Sequence, residues 1–350
     1  MSVLGASKAR LMLLVLASVL LVLSLSACVD EDILGVFVTM KAPGVTEDGV
    51  EYGTDDILMA LVDEGEWFKI FEGSEFGLTP KHNIAAFSFN EVLWYNLMSG
   101  PSIDPDDLEI IPELYLTFTQ NRIAVPGIPG MVYGQDIVKF SEEEPAGPDP
   151  VWSFELFFDG SDVGLTTAQE KIDGLGVWSP EYFDYFAEAG TDLPFDCAGG
   201  VIFVTTQGKY RVPSATPGQD IVGNGSDVLL FCAFNTGPDT AGLWYRVYNG
   251  TEEGISPPRA GFSLDVLGFQ MFSTTSPAED LDAGVFFMFT PRTRFTAPGL
   301  SEPGLPSQLF AAATGSGVDG PFLDFDDEYP AGNGVVDGIS LFDMPFYVSP

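Results

Sequence analysis

The sequence predicts an all-β fold, and within that class a four-bladed β-propeller. Its clearest signal is a segment centred on glycine that occurs three times, around Gly73, Gly160 and Gly250. The repeats also contain short segments rich in Val, Ile, Phe, Tyr and Thr between Gly, Pro and Asp turns, a composition typical of strands. Four such strands fall in each repeat of about 80–90 residues, and tandem four-stranded units are what propellers are built from.

The elements recur in the same order along the chain. The first is an apolar strand that ends near a proline, and it begins at Val36, Leu116, Val201 and Val285. The second is a short strand preceded by an acid, at Asp56, Asp136 and Asp227, with Gln308 in the fourth repeat. The third contains Asp173, Asp265 or Asp337, and Ala85 replaces the acid in the first repeat. We therefore predict four units, at about 34–90, 114–178, 201–268 and 285–341.

The order of the motifs also predicts how the ring closes. The chain begins with a proline-ended strand at 34–44 and ends with the strand that contains Asp337. The C-terminal strand is thus the element that the N-terminal three strands lack, and pairing them would close the ring and remove two exposed sheet edges. A linear row of small β-sandwiches is the alternative arrangement.

The glycine-centred segment resembles a known type of repeat. Phe158-Asp159-Gly160-Ser161-Asp162-Val163-Gly164-Leu165 is similar to the FDGSDVGL-type repeats of secreted and surface proteins from several bacterial groups. The resemblance covers most of residues 34–341. It implies a propeller and a bacterial surface location, and it implies no activity.

The N-terminus has the layout of a secretion signal. Lys8 and Arg10 precede the apolar run Leu11–Leu25. The next residues, Leu25-Ser26-Ala27-Cys28, resemble the lipobox of bacterial lipoproteins, which implies cleavage before Cys28 and a lipid on its sulfur. We predict a signal peptide at 1–27, a lipidated linker at 28–33 and one β domain at 34–350, held outside the cytoplasm at the cell membrane or outer membrane. An uncleaved signal anchor is the alternative.

Charge and cysteine content restrict the partners and the compartment. Beyond residue 27 the chain has 51 acids and 12 bases, a formal charge of −39, which excludes nucleic acid as a partner. Once Cys28 carries lipid, Cys197 and Cys232 remain, and an even pair in an exported domain predicts a disulfide. Two buried thiols are the alternative.

Candidate catalytic residues are few. The chain has one histidine, His82, and no nucleophile elbow, phosphate loop or zinc-protease motif. Calcium is the more reasonable ligand, because carboxylates and turn carbonyls supply the oxygen ligands it prefers. The candidate calcium ligands are Asp159, Asp162, Asp324, Asp326 and Asp327.

Two further acidic features are open to more than one interpretation. Asp104-Pro105-Asp106-Asp107 is an acidic turn that is either a calcium site or solvated surface. The repeated Asp173, Asp265 and Asp337 either share a structural role or form a ring that binds a cation at the axis.

Three classes of function remain open. The sequence favours a binding or scaffolding propeller for a protein or a glycan, held to the membrane by the lipid on Cys28. The alternatives are a secreted hydrolase or lyase that uses carboxylates and calcium, and a structural component of the envelope.

Overall fold

A computed structural model describes residues 35–61, 65–89, 113–143, 151–180, 197–257, 262–273, 282–324 and 336–342. Within these ranges the chain forms four four-stranded antiparallel sheets and two short hairpins. The four sheets are the blades of a β-propeller, so the predicted fold class is confirmed.

Each blade runs from an inner strand at the axis to an outer strand at the rim. The first blade contains, from the axis outward, β20 (Val336–Phe342), β1 (Gly35–Met40), β4 (Asp56–Leu61) and β5 (Glu66–Glu72). The second contains β6 (Ile84–Phe89), β7 (Glu113–Phe118), β8 (Ile137–Glu143) and β9 (Val151–Phe158). The third contains β10 (Ile172–Trp178), β11 (Val201–Thr206), β14 (Val228–Asn235) and β15 (Ala241–Tyr248). The fourth contains β16 (Phe262–Ser273), β17 (Asp282–Pro291), β18 (Gln308–Ala313) and β19 (Gly317–Asp324).

Short elements lie in the connections between the strands of the four sheets. One hairpin, β2 (Gly44–Val45) with β3 (Glu51–Tyr52), lies in the connection between β1 and β4. A second, β12 (Tyr210–Pro213) with β13 (Asp220–Gly223), lies between β11 and β14. Two of the three glycine-centred segments form short 3₁₀ turns, at Gly73–Phe76 and Gly160–Val163.

The ring closes between the two ends of the described chain. β20 pairs with β1 in an antiparallel register that matches Gly35 with Phe342 and Val38 with Ile339. The first blade therefore takes its inner strand from the C-terminal end of the chain, as the order of the motifs predicts. A linear row of sandwiches does not have this pairing, so that alternative is wrong.

The inner strands pack closely around the axis. They follow one another as β20, β6, β10 and β16, and each contacts both neighbours. Small residues allow this approach, because a Cβ atom on Gly174 would lie 2.6 Å from the carbonyl oxygen of Phe262. Cα atoms of β10 and β20, on opposite sides of the axis, come within 8 Å.

The two ends of the propeller differ in which strands they connect. At one end, which we call the loop face, the second strand of each blade leads to the third, and the fourth leads to the next blade. At the other end, the anchor face, the first strand leads to the second and the third to the fourth. Met40 and Val336 are paired at the loop face, whereas Gly35 and Phe342 are paired at the anchor face.

The core lies between the blades. The second strands β1 and β11 are buried at every residue, because neighbouring blades cover both faces of each sheet. Phe231 packs edge-on against Phe158 of the preceding blade, with ring centroids 5.2 Å apart, and also contacts Trp244. The indole of Trp244 donates its N–H to the carbonyl of Val163 at 2.8 Å. Such pairs of buried aromatic rings stabilise the contact between blades beyond the area that they bury.

Three fully buried threonines each join one blade to the next, at three of the four junctions of the ring. The hydroxyl of Thr39 donates to the carbonyl of Ile84 at 3.3 Å, and that of Thr117 donates to Ile172 at 3.5 Å. Thr205 donates in the same way to the fourth blade. Each acceptor is the first residue of the next inner strand, so these bonds fix the relative position of adjacent blades.

The predicted disulfide is present. Cys197 and Cys232 are bonded, with Cα atoms 5.1 Å apart. Cys232 pairs with Val201 across two antiparallel strands, which brings Cys197 beside it. The bridge therefore links the connection between β10 and β11 to β14 at the anchor face.

Several predicted features lie outside the described residues. They are the signal peptide, Cys28, the 104–107 turn, Asp326 and Asp327. In the parts of the chain that the structure describes, no helix is both long and apolar enough to span a bilayer.

Candidate functional site at the loop face

A repeated aspartate fixes the turn before the third strand in three blades. In the second blade, Asp136 accepts an N–H bond from Tyr133 at 2.8 Å and another from Gly160 at 3.1 Å. Asp56 and Asp227 make the equivalent pair of bonds in their own blades. Both carboxylate oxygens are thus used by the backbone, so this repeated acid is a structural clamp.

The glycine-centred segment is the other half of the clamp. A Cβ atom on Gly160 would lie 2.3 Å from the carbonyl oxygen of Gln135, so only glycine fits beside the aspartate. The turn ends at Gly164, whose φ of 101° is left-handed. A Cβ atom there would lie 2.7 Å from Cδ of Pro213 in the next blade. Matching contacts join Gly77 to Pro126 and Gly254 to Pro298. The repeated turn and the repeated proline are therefore two sides of one contact between blades.

The predicted calcium ligands are only partly described. Asp159 caps its 3₁₀ turn by accepting bonds from the backbone N–H of Ser161 at 3.0 Å and from its hydroxyl at 2.6 Å. Asp162 is exposed on the same turn, and Asp324 ends β19. Within the described ranges, no three acidic, His or Cys residues are grouped to hold a metal ion. Calcium binding stays a prediction, to be tested by thermal unfolding in EDTA and in millimolar calcium.

Two of the repeated inner-strand acids meet one arginine at the axis. Asp173 of the third blade and Asp337 of the first blade are both buried, and both form ion pairs with Arg292 of the fourth blade. The Nη2 atom of Arg292 lies 3.4 Å from Oδ1 of Asp337. The cation held by these carboxylates is thus a side chain of the protein, and the ion pairs connect three blades.

Burial controls the ionisation of this cluster. It raises the pKa of Asp173 to about 7, while the Arg292 guanidinium acts in the opposite direction. Burial also raises the pKa of Asp337, against Arg292 and Lys41. Burial and the nearby Arg292 charge lower the pKa of Lys171, which borders the same site.

The strand register places Asp265 at a different position from Asp173, so the predicted equivalence of these two residues is wrong. In β10, Asp173 forms a bulge. Ile172 and Gly174, on either side of it, therefore pair with two consecutive residues of β11. In β16 the corresponding residues, Phe262 and Ser263, are consecutive and no bulge separates them. The fourth blade therefore has no residue equivalent to Asp173, and Asp265 lies further along its strand.

His82 has a structural role. Its ring is buried, and Nδ1 accepts the N–H of Thr79 at 2.9 Å. Nε2 is then the protonated nitrogen, and it donates to the carbonyl of Ala124 in the next blade at 2.8 Å. Because both ring nitrogens are used, the histidine caps its own turn and joins the first blade to the second.

Large apolar side chains are exposed on all four blades at the loop face. Each of the four connections from second to third strand presents at least one of them. They are Val45, 50% exposed, Met131, 37%, Tyr133, 40%, Val222, 53%, and Leu305, 39%. The sequence analysis did not identify these residues, because only the fold shows that four separate connections share one face.

Basic residues are concentrated at the same face. In the described residues, the connections at this face contain eight Lys and Arg residues and 14 Asp and Glu residues. In the described parts of the connections at the anchor face there is one acid, Asp239, and no Lys or Arg. The described basic residues of the connections therefore all lie at the loop face.

A recess lies between the first and second blades. It has a volume of about 360 Å³, and Phe71, Phe76 and Phe140 line it together with Lys69 and Glu72. The rings of Phe71 and Phe76 are stacked with centroids 5.3 Å apart. The recess thus combines flat apolar surfaces with charged groups.

No protein-family model matches the chain, and no curated protein shows significant similarity to it.

Proposed function

We propose that the chain is a lipid-anchored protein outside the cytoplasm that binds a partner protein through the loop face. The observation that supports this most strongly is the exposure of large apolar side chains on four separate connections that the propeller brings to one face. Scattered single apolar residues are ordinary on a protein surface. A set shared by every blade and surrounded by charged groups is typical of an interaction surface.

The kind of side chain favours a protein over a glycan at this face. Val45, Met131, Val222 and Leu305 are aliphatic, and Tyr133 is the aromatic member of the set. Aliphatic groups gain stability from burial against other apolar side chains, about 25 cal/mol per Å² removed from water. A sugar ring is held instead by flat aromatic side chains with hydrogen-bonding groups around them.

Membrane attachment through Cys28 rests on the signal and lipobox pattern. The disulfide between Cys197 and Cys232 supports a location outside the cytoplasm, because such bonds persist in oxidising compartments. Mass spectrometry of the full chain made in a bacterial host tests the attachment. Diacylglycerol on Cys28 would support it, and an intact N-terminus at Met1 would contradict it.

A matched pair of double variants tests the binding face. Val45→Ser with Val222→Ser removes two exposed apolar groups from the loop face, where they are 50% and 53% exposed. Val151→Ser with Phe234→Ser removes groups that are 50% and 46% exposed and lie near the anchor face. Chemical cross-linking on intact cells, followed by mass spectrometry, identifies the partners of each form.

The two variants give opposite expectations. We expect the loop-face variant to lose its specific cross-linked partner while the anchor-face variant keeps it, with both unfolding at the same temperature as the parent. Loss of the partner from the anchor-face variant alone would contradict the proposed face.

Glycan binding is the second candidate, and the recess with Phe71, Phe76 and Phe140 is the observation that favours it. Phe76→Ser replaces a ring that is half-buried in this recess. A glycan array probed with the parent and with this variant tests the idea. Binding that the substitution abolishes would support a glycan site, and a blank array with the parent would contradict it.

A further inference from the structure

The position of the N-terminal tether fixes the direction of the loop face. β1 begins at Gly35, which pairs with Phe342 at the anchor face. The preceding residues that join it to Cys28 must therefore start from that face. The lipid anchor is thus attached to the end of the propeller opposite the loop face.

The tether is too short to reverse this arrangement. Seven residue steps separate Cys28 from Gly35, so the linker spans at most about 25 Å when fully extended. To place the loop face on the membrane, the linker would have to rise along strands of about six residues, or about 20 Å, and pass around β4 and β5, about 10 Å more. That path is longer than the linker, even before the depth of the loops is added.

We infer that the lipid anchor directs the loop face away from the anchoring membrane, so that its partner is a protein that approaches from the far side and not one embedded in the same bilayer. This inference rests on the proposed lipidation of Cys28 and deepens the proposed binding function. In this arrangement the anchor face lies towards the membrane and the loop face lies towards the partner protein.

Energy transfer from the protein to the membrane surface tests the orientation. Ser301 and Ser316 are exposed serines in the same blade, the first on the loop-face connection before β18 and the second on the anchor-face connection after it. A fluorescent amino acid is placed at one or the other position in the full lipidated chain. The protein is then reconstituted into vesicles whose headgroups carry an energy acceptor.

The expected result follows from the distance between the faces. β18 separates the two positions by about 20 Å, so transfer from position 316 should exceed transfer from position 301 by about twofold or more. Equal transfer, or stronger transfer from position 301, would overturn the inference.

Flotation of the same samples with the vesicles separates this result from a failure of the lipid anchor. A chain that does not float contradicts the proposed lipidation. Energy transfer from positions 301 and 316 is then measured on protein that is joined through the Cys28 thiol to a synthetic lipid. Stronger transfer from position 316 would still support the orientation, and equal transfer would still overturn it.

Discussion

Replacing Gly164 with alanine tests the contact that the repeated motifs form between blades. Gly164 has a left-handed φ of 101°, and a Cβ atom there would lie 2.7 Å from Cδ of Pro213 in the next blade. Gly130 is the matched control, because its φ is 100° and nothing lies within 4 Å of its added Cβ. Both substitutions incur the left-handed backbone cost of about 1–2 kcal/mol. Gly164→Ala adds an overpacking cost of about 1–3 kcal/mol.

Urea unfolding of the three proteins measures the difference. We expect Gly130→Ala to lower the free energy of unfolding by about 1–2 kcal/mol and Gly164→Ala by about 2–5 kcal/mol. The excess is the free energy of the close approach between the turn and the proline. Equal losses for the two variants would refute the reasoning, because they would show that the added methyl group meets nothing in the next blade.

Three other perturbations have defined outcomes. Burial raises the pKa of Asp136 to about 7 from 3.8, so the folded state binds more protons than the unfolded state between these values. Stability should therefore rise by about 2 kcal/mol for this group as the pH falls from 7.5 to 5.5, and Asp136→Asn should reduce that rise in urea titrations. Replacing both Cys197 and Cys232 with serine removes a bridge with a sequence separation of 35, and calorimetry should show a loss of about 4 kcal/mol. Arg292→Met leaves the buried carboxylate of Asp173 unpaired and should cost about 3–5 kcal/mol at pH 8. Its cost should be smaller at pH 5.5, where that carboxyl is protonated; a larger cost there would contradict the ion-pair account.

Most of the fold was predictable because its signals are local and repeated. The acid at Asp56, Asp136 and Asp227 recurs at a fixed place before a strand, since each has the same pair of backbone N–H groups to accept. Ring closure followed from the order of the motifs, and the disulfide followed from an even number of remaining cysteines. None of these inferences required knowledge of which residues are exposed.

The features that sequence reasoning missed depend on differences between repeats. Asp265 was misaligned because the bulge that holds Asp173 is absent from β16, and a pattern of residue types does not reveal a missing bulge. Arg292 was missed because its charge matters only where it meets acids from two other blades. The exposed side chains of Val45, Val222 and their counterparts were missed because residue type alone does not show whether an apolar residue in a connection is buried or exposed.

Amide hydrogen exchange over Val336–Phe342 tests the closure of the ring most directly, and the assignment of both faces depends on that closure. The structure pairs this segment with Gly35–Met40 in one sheet and surrounds it with the other inner strands. In the full-length chain we predict that its amides are protected to the same extent as those of the inner strand Ile84–Phe89. Rapid exchange of 336–342 while Ile84–Phe89 stays protected would show that the C-terminal strand does not close the propeller, and would contradict the account.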